Sequence, residues 1–280
     1  MSLITVILAG GKSSRMGREK ARIERPDGER QIDFLVSLAR LAGDEIYLSL
    51  GNDSVPPVDL PVIRDQRAGV GPLAALAAAH AAHPVKSVLL LGCDLFMLDA
   101  ETIRHLAVCR DPSRQATCYS NRLDGRPEPL CAIYEAHALA KAEEWITRDD
   151  FRARFFLESL EPLMLELPHP AALDNVNTPH ELEECFSKLR EGVVSKTVTV
   201  QLDDEPPQET LTLANTIGGL FEEVRFQQRL RKRLDEVLIF KGGSSAGAGK
   251  RLHGGEQIRI QTVSSPDAGH ASGSSGDSTG

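Results

Sequence analysis

Apolar and polar positions over the first 190 residues alternate between short strand-like runs and stretches of helical periodicity. Residues 4–8 (ITVIL) are continuously apolar and rich in β-branched side chains, the pattern of a strand covered on both faces. A glycine-rich stretch over 9–17 follows. Apolar residues at 32, 34, 35, 38, 39 and 41 share one face of a helix predicted over 31–41. Residues 45–50 (EIYLSL) and 60–64 (LPVIR) predict strands, and the alanine-rich 71–83, with Pro72 in its first turn, predicts a helix. The run 87–92 (SVLLLG) is apolar on both faces, as a central strand of a parallel sheet would be. Helices over 100–109 and 136–145, strands over 116–119 and 130–134, and a helix over 179–189 behind a capping Thr178 complete the region. The alternation predicts an α/β domain over 1–193, with a mostly parallel sheet flanked by helices in a Rossmann-like layering.

Beyond a linker near 190–195 the pattern changes. Strands over 197–202 (TVTVQL) and 209–213 (ETLTL), a helix over 216–233, and strands over 236–240 (EVLIF) and 257–263 (QIRIQTV) predict a small α+β module over 197–263. The Ser/Gly-rich 264–280 has no apolar periodicity and predicts a disordered tail. The basic run 225–233 reads as a solvated helix face, with an acidic protein partner for the module as the alternative.

Composition narrows the function. With 280 residues, 41% of them hydrophobic, the chain can bury one large core and a smaller one. A net charge of -8 argues against a surface that tracks nucleic acid, and favours a small-molecule partner. The five cysteines are odd in number, scattered and never spaced as CxxC, which argues against a disulfide framework or a zinc site and fits a reducing cytoplasm. The N-terminal apolar run is only a strand long, and no segment approaches the roughly 20 apolar residues of a membrane span. No membrane association is expected.

The chemistry concentrates in a few strings. Leu8, Ala9, Gly10 and Gly11 lead into KSSRMG, with Arg15 and then Lys20 behind them. Glycines after a buried strand let backbone N–H groups approach phosphates, and Arg15 and Lys20 supply positive charge. The string is neither GxGxxG nor the Walker form, and an ordinary tight turn would not need all of it. Asp94 follows the most apolar strand, at the sheet edge where α/β proteins bind ligands, and its carboxylate suits Mg²⁺ beside a triphosphate. Asp65 precedes the glycines of AGVGPLA, and alone would be a turn residue. The string DNVNTP over 174–179 joins amide side chains to a helix start, which capping alone would also explain.

Together these strings resemble the molybdenum cofactor guanylyltransferases and their wider nucleotidyltransferase group. LAGGxSxRMGxxK is matched over 8–20, GPLA over 71–74, the aspartate after the central strand at Asp94, and NxNTP over 175–179. The resemblance implies that Leu8, Ala9, Gly10, Gly11, Lys20, Asp65, Gly71 and Asp94 bind GTP, that Asp94 holds Mg²⁺, and that Arg15, Lys20 and Asp94 carry catalysis. Asn175 and Asn177 would lie on the acceptor side. The acceptor would be the phosphate of molybdopterin, already anionic, so that positioning and charge neutralisation suffice without a strong general base.

Three departures stand out: Leu95 and Phe96 where the family has a small residue and a proline, ARIERPDGERQID after Lys20, and the proline-rich RPEPL over 126–130. Cytidylyl or sugar-phosphate transfer, and a nucleotide-binding scaffold without turnover, remain alternatives; cytidylyl relatives usually show AAG in place of Ala9, Gly10 and Gly11, so the Gly10–Gly11 pair tilts the choice to guanine. Residues 197–263 weakly resemble the β-grasp sulfur carriers, with GGE at 254–256 in place of their turn, but without a terminal Gly-Gly.

Overall fold

The computed structural model describes residues 2–10, 19–52, 54–65, 71–228 and 230–263. The expected tail over 264–280 lies outside the described residues. A seven-stranded sheet is built from β1 (Leu3–Leu8), β2 (Ile46–Leu50), β3 (Val62–Arg64), β4 (Ser87–Gly92), β5 (Ala116–Ser120), β6 (Pro127–Tyr134) and β7 (Leu163–Leu165), in the order β3-β2-β1-β4-β6-β5-β7. The run from β3 to β4 is parallel, β6 is antiparallel to both its neighbours, and β7 is parallel to β5. The mostly parallel α/β sheet read from the sequence is the one observed.

Successive side chains of a strand point to opposite faces, so a strand apolar at every position must be covered twice. In β4 this is literal. Val88 and Leu90 join Ile4 and Val6 of β1 against α2 (Pro72–Ala82) and α4 (Ala136–Thr147). Leu89 and Leu91 face the other way, with Ile7, into α1 (Gln31–Ala39) and α3 (Ala100–Val108). The central strand is thereby locked in register, because a slip of one residue would exchange the two cores.

Several boundaries differ from the sequence reading. β6 begins at Pro127, not at 130, and a short helix α5 (Ala153–Ser159) with strand β7 extends the sheet where no element is predicted. The pattern over α5 is too short to show a period, yet Phe156 and Leu157 are buried in the core. α6 (Pro179–Glu191) starts behind Thr178 as expected, with a full capping box in which Glu181 answers Thr178.

A second, five-stranded sheet comprises β8 (Lys196–Leu202), β9 (Gln208–Thr212), β10 (Val237–Lys241), β11 (Ser244–Ser245) and β12 (Gln257–Thr262), in the order β11-β10-β12-β8-β9. Its central pair, β8 and β12, is parallel, and the remaining pairs are antiparallel. Val198, Val200, Ile239, Ile258 and Ile260 alternate onto one face, where α7 (Ile217–Gln227) lays down Ile217, Leu220, Phe221 and Val224. This arrangement is compatible with the small β-grasp-like module expected from 197–263. The helix, however, stops at Gln227 rather than at 233. The Leu230 amide bonds back to the Arg225 carbonyl at 2.9 Å, a turn that lets Leu230 and Leu234 pack on the module's core. A longer helix would carry its basic residues along the same axis.

Glu135, fully buried at the entry to α4, ties the sheet to its flank. It accepts from Arg110 Nε and Nη2, each at 2.7 Å, and from Ser87 Oγ at 2.6 Å. Burial alone would raise its pKa, but Arg110 and Ser87 more than offset this and hold it below the ordinary 4.5. Its contribution is therefore fully present above pH 4.5 and is lost as pH falls through the lower folded value. Glu135→Ala should cost about 3 kcal/mol at pH 7, because Arg110 loses its partner in a nearly buried place. Urea unfolding at pH 7 and at pH 3 checks this, with the gap between variant and parent narrowing at the lower pH.

Candidate functional site

The carboxyl ends of β2, β1 and β4 meet at one edge of the large sheet. Leu8 pairs in register with Ser49 on one side and with Gly92 on the other, so the chain leaving β1 runs between the ends of its neighbours. Ala9 and Gly10 both donate their amides to the Ser49 carbonyl, at 3.2 and 3.1 Å. A Cβ on Gly10 would lie 3.1 Å from Leu50 Cα and 3.2 Å from Gly51 N, so the close approach of the two backbones favours glycine there. Ser49 also donates its hydroxyl to Asp65 at 2.7 Å. Burial pushes the Asp65 carboxyl above its usual range, and the Ser49 bond works against this. Gly71, at φ +71°, is the N-cap of α2. Gly11 and Arg15 lie outside the described residues.

Asp94 stands two residues beyond β4, delivered there by a strand whose every residue is buried. Its Oδ2 lies 3.8 Å from Lys20 Nζ, and Lys20 donates to Asn177 Oδ1 at 2.8 Å. The Asp94 carbonyl accepts from the Val176 amide at 3.0 Å, which holds the segment 175–177 against the end of β4. Glu181 fixes that segment from the other side, accepting from the amides of Asn177 at 2.5 Å and Thr178 at 2.8 Å. The fold thus brings Lys20, Asp94, Asn175 and Asn177 together. It brings Ala9, Gly10 and Asp65 together around Ser49, on the other side of β1.

Burial raises the pKa of Asp94, opposed chiefly by Lys20. Among the described residues four buried side-chain polar atoms lack a hydrogen-bond partner, and two of them are here: Asp94 Oδ1 and Asn175 Oδ1. A Cβ on Gly92 would collide with that same Asp94 oxygen. Two oxygens withdrawn from water with no donor facing them fit a hard divalent cation, which takes oxygen ligands.

Glu128 is a neighbour that the sequence reading did not single out. It is 1% exposed, carries only long hydrogen bonds, 3.3 Å from Asn121 Nδ2 and 3.4 Å from each of Arg154 Nη2 and the Leu130 amide, and has its pKa raised by burial, with the charge of Asp94 adding to the effect. The signal was a glutamate between two prolines in RPEPL, but only the placing of β6 beside β4 turns that string toward the site. Two departures from the family pattern also meet. Ile23 packs with Phe96, Val176 and Cys185 in one small buried cluster, while Arg25 donates to the Phe96 carbonyl at 2.8 Å and Gln31 to the Leu95 carbonyl at 3.2 Å. The altered segment after Lys20 and the altered residues after Asp94 fill each other's space.

Among the described residues, His180, Glu181 and Glu222 bring one ligand atom each within 4.8 Å of one another. Their polar groups are already engaged: Glu181 in the capping box, and Glu222 with His180 at 3.1 Å and with Arg225 at 2.8 Å. No helix among the described residues is long and apolar enough to cross a membrane.

A mostly parallel α/β sheet with a close-packed glycine after its first strand, and a part-buried carboxylate after the central one, is the framework of a nucleotidyltransferase. The chain belongs to the MobA-like NTP transferase domain family, whose model matches residues 5–163. A probable molybdenum cofactor guanylyltransferase from Carboxydothermus hydrogenoformans is 34% identical over 195 residues, which are 65% of this chain and 94% of the relative. A molybdenum cofactor guanylyltransferase from Rhizobium johnstonii is 32% identical, over 64% of this chain and 89% of the relative. Among solved structures, molybdopterin-guanine dinucleotide biosynthesis protein A from Archaeoglobus fulgidus has the same fold, with a TM-score of 0.57 at 20% identity, over 67% of this chain and 98% of that one.

A part-buried carboxylate with one buried, unpartnered oxygen and a raised pKa weighs against folding in the metal-free protein. Asp94→Asn keeps the shape and removes the charge. Its metal-free melting temperature should equal or exceed that of the parent, as read by calorimetry in chelator; a fall of several degrees would show that Asp94 serves the fold.

Proposed function

We propose that this protein transfers GMP from GTP to the terminal phosphate of molybdopterin and releases pyrophosphate. The observation that carries the reading is the buried, unpartnered Oδ1 of Asp94 beside Lys20 and Asn177, at the sheet edge where Ala9 and Gly10 follow Leu8 at the end of β1. The names of the relatives supply the nucleotide and the acceptor.

In this reading a phosphate oxygen of the acceptor forms a bond to the α-phosphorus of GTP, the bond from that phosphorus to the bridging oxygen of the β-phosphate breaks, and pyrophosphate leaves with the electron pair. Mg²⁺, when bound, supplies charge neutralisation and a fixed geometry for the polyphosphate. Asp94 is the residue assigned to hold it. Lys20, now bonded to Asn177, would exchange that neutral partner for a phosphate oxygen, a stronger charge-assisted bond. The amides of the turn 8–11 and Arg15 would face the phosphates, Asp65 and Gly71 the base and ribose, and Asn175 and Asn177 the acceptor. The nucleophile is an anion throughout, so no side chain has to remove a proton from it. The reading places the protein in the cytoplasm, where buried free thiols such as Cys93, Cys118 and Cys131 would stay reduced.

Pyrophosphate release with molybdopterin and Mg²⁺ should be fastest with GTP among the four nucleoside triphosphates. Equal or faster turnover with CTP would remove the guanine assignment and leave nucleotidyl transfer standing. In the same assay Asp94→Asn should lose roughly 10² or more in turnover, the usual worth of one electrostatic contact at a reacting centre. Full activity in that variant would place the metal elsewhere.

A further inference from the structure

The second sheet does not merely trail the first; α7 presents two successive glutamates to it. Glu223, 4% exposed, accepts from Arg122 Nη2 at 2.9 Å through one oxygen and from Thr212 at 2.6 Å through the other. Arg122 is at the same time clamped on Asp174, Nε to Oδ1 at 2.7 Å and Nη2 to Oδ2 at 2.9 Å. Lys188 of α6 reaches the same Asp174 oxygen at 3.0 Å and lies 3.4 Å from Glu184. Glu184 crosses in the opposite direction: it accepts from the amides of Asn215 and Thr216 and from the Thr216 hydroxyl, each at 2.7 Å, and so holds Thr216, the N-cap of α7. Gly219 leaves room for it, since a Cβ there would lie 2.5 Å from the Glu184 carboxyl carbon. Glu222 adds a contact to His180, three residues beyond Asn177.

The joint is therefore built of buried and part-buried charges in an alternating network. Burial works to lower the pKa of Arg122, but Asp174 and Glu223 hold it above its ordinary value. What gives the network a functional bearing is its place in the chain. Asp174 immediately precedes Asn175, Val176 and Asn177, and that segment meets the Asp94 carbonyl and Lys20. Arg122 sits in the loop that leads back into β6 and Glu128. A single guanidinium thus links Glu223, on the helix packed against the second sheet, to the peptide that closes one side of the site.

We propose that Glu223 is a positioning residue: by orienting Arg122 it clamps Asp174, and so sets the segment 175–177 for the acceptor. The second sheet is then a working part of the acceptor side, although no residue of it is assigned to substrate. The acceptor assignment rests on the function proposed above, whereas the clamp itself does not.

The test uses the full-length chain with Glu223→Ala and the milder Glu223→Gln, which keeps an oxygen for Arg122. Hydrogen exchange resolved by mass spectrometry should show amides 175–178 exchanging about tenfold faster in Glu223→Ala, as loss of one charge-assisted bond would allow, with β1 and β4 unchanged. In steady-state assays KM for molybdopterin should rise about tenfold while KM for GTP moves less than twofold, and Glu223→Gln should recover most of both effects. Unchanged exchange at 175–178, or equal rises in both KM values, would overturn the proposal. If Glu223→Ala does not fold, Glu223→Asp, one methylene too short to hold Arg122 and Thr212 together, takes its place, with the same shifts expected and their absence overturning the proposal. Faster exchange at 175–178 in a protein that does not use molybdopterin at all would keep the clamp and remove the assigned acceptor, so the two readings fail separately.

Discussion

A part-buried carboxylate, with a lysine as its counterion at 3.8 Å and one oxygen withdrawn from water and unanswered, is the constraint around which the large sheet is organised. Such a group weighs against the folded state, and the surrounding architecture has to hold it regardless. β4 supplies the hold: apolar on both faces, it is fixed by two cores at once, and whatever follows it emerges at a defined point of the sheet edge. The absence of a side chain at Gly92 leaves the carboxylate its space, and the Val176 amide ties down the backbone of Asp94 itself. The site belongs in this sense to the strand order before it belongs to any loop.

How much of this could be read from the residues follows from how local each signal is. The α/β layering was legible because β1 and β4 write it in continuous apolar runs, and the cap at Thr178 because it directly precedes the helix that it opens. Asp94 was legible by its distance from an unmistakable strand. Glu128 was not, since its meaning comes from β6 turning back antiparallel to β4, and nothing within RPEPL states which strand will be its neighbour. The end of α7 was misread for a related reason. Basic residues over 225–233 continue a helical pattern well enough, but the demand that Leu230 and Leu234 reach the core comes from tertiary structure.

The mutual fit of the two unusual segments shows why departures from a family pattern are poor guides when taken singly. Arg25 and Gln31 satisfy the carbonyls of Phe96 and Leu95 at the point where the chain turns away from Asp94, and Ile23 covers the Phe96 ring's neighbourhood. Viewed together they exchange one packing solution for another and leave the Asp94 backbone in the hands of Val176.

The crossing of Glu184 over Gly219 carries an implication for descent. The helix start on one side of the joint is completed by a carboxylate from the other, and that carboxylate lies where any larger residue at 219 would have to be. Neither half can therefore drift freely at this point: a side chain gained at 219 would have to be matched by a shortened or redirected one at 184, with a new partner for the amides of Asn215 and Thr216. A glycine in the first turn of a helix and a glutamate 35 positions earlier, unremarkable apart, become a linked pair by which chains sharing this particular joint, and not only the two sheets, could be told from others.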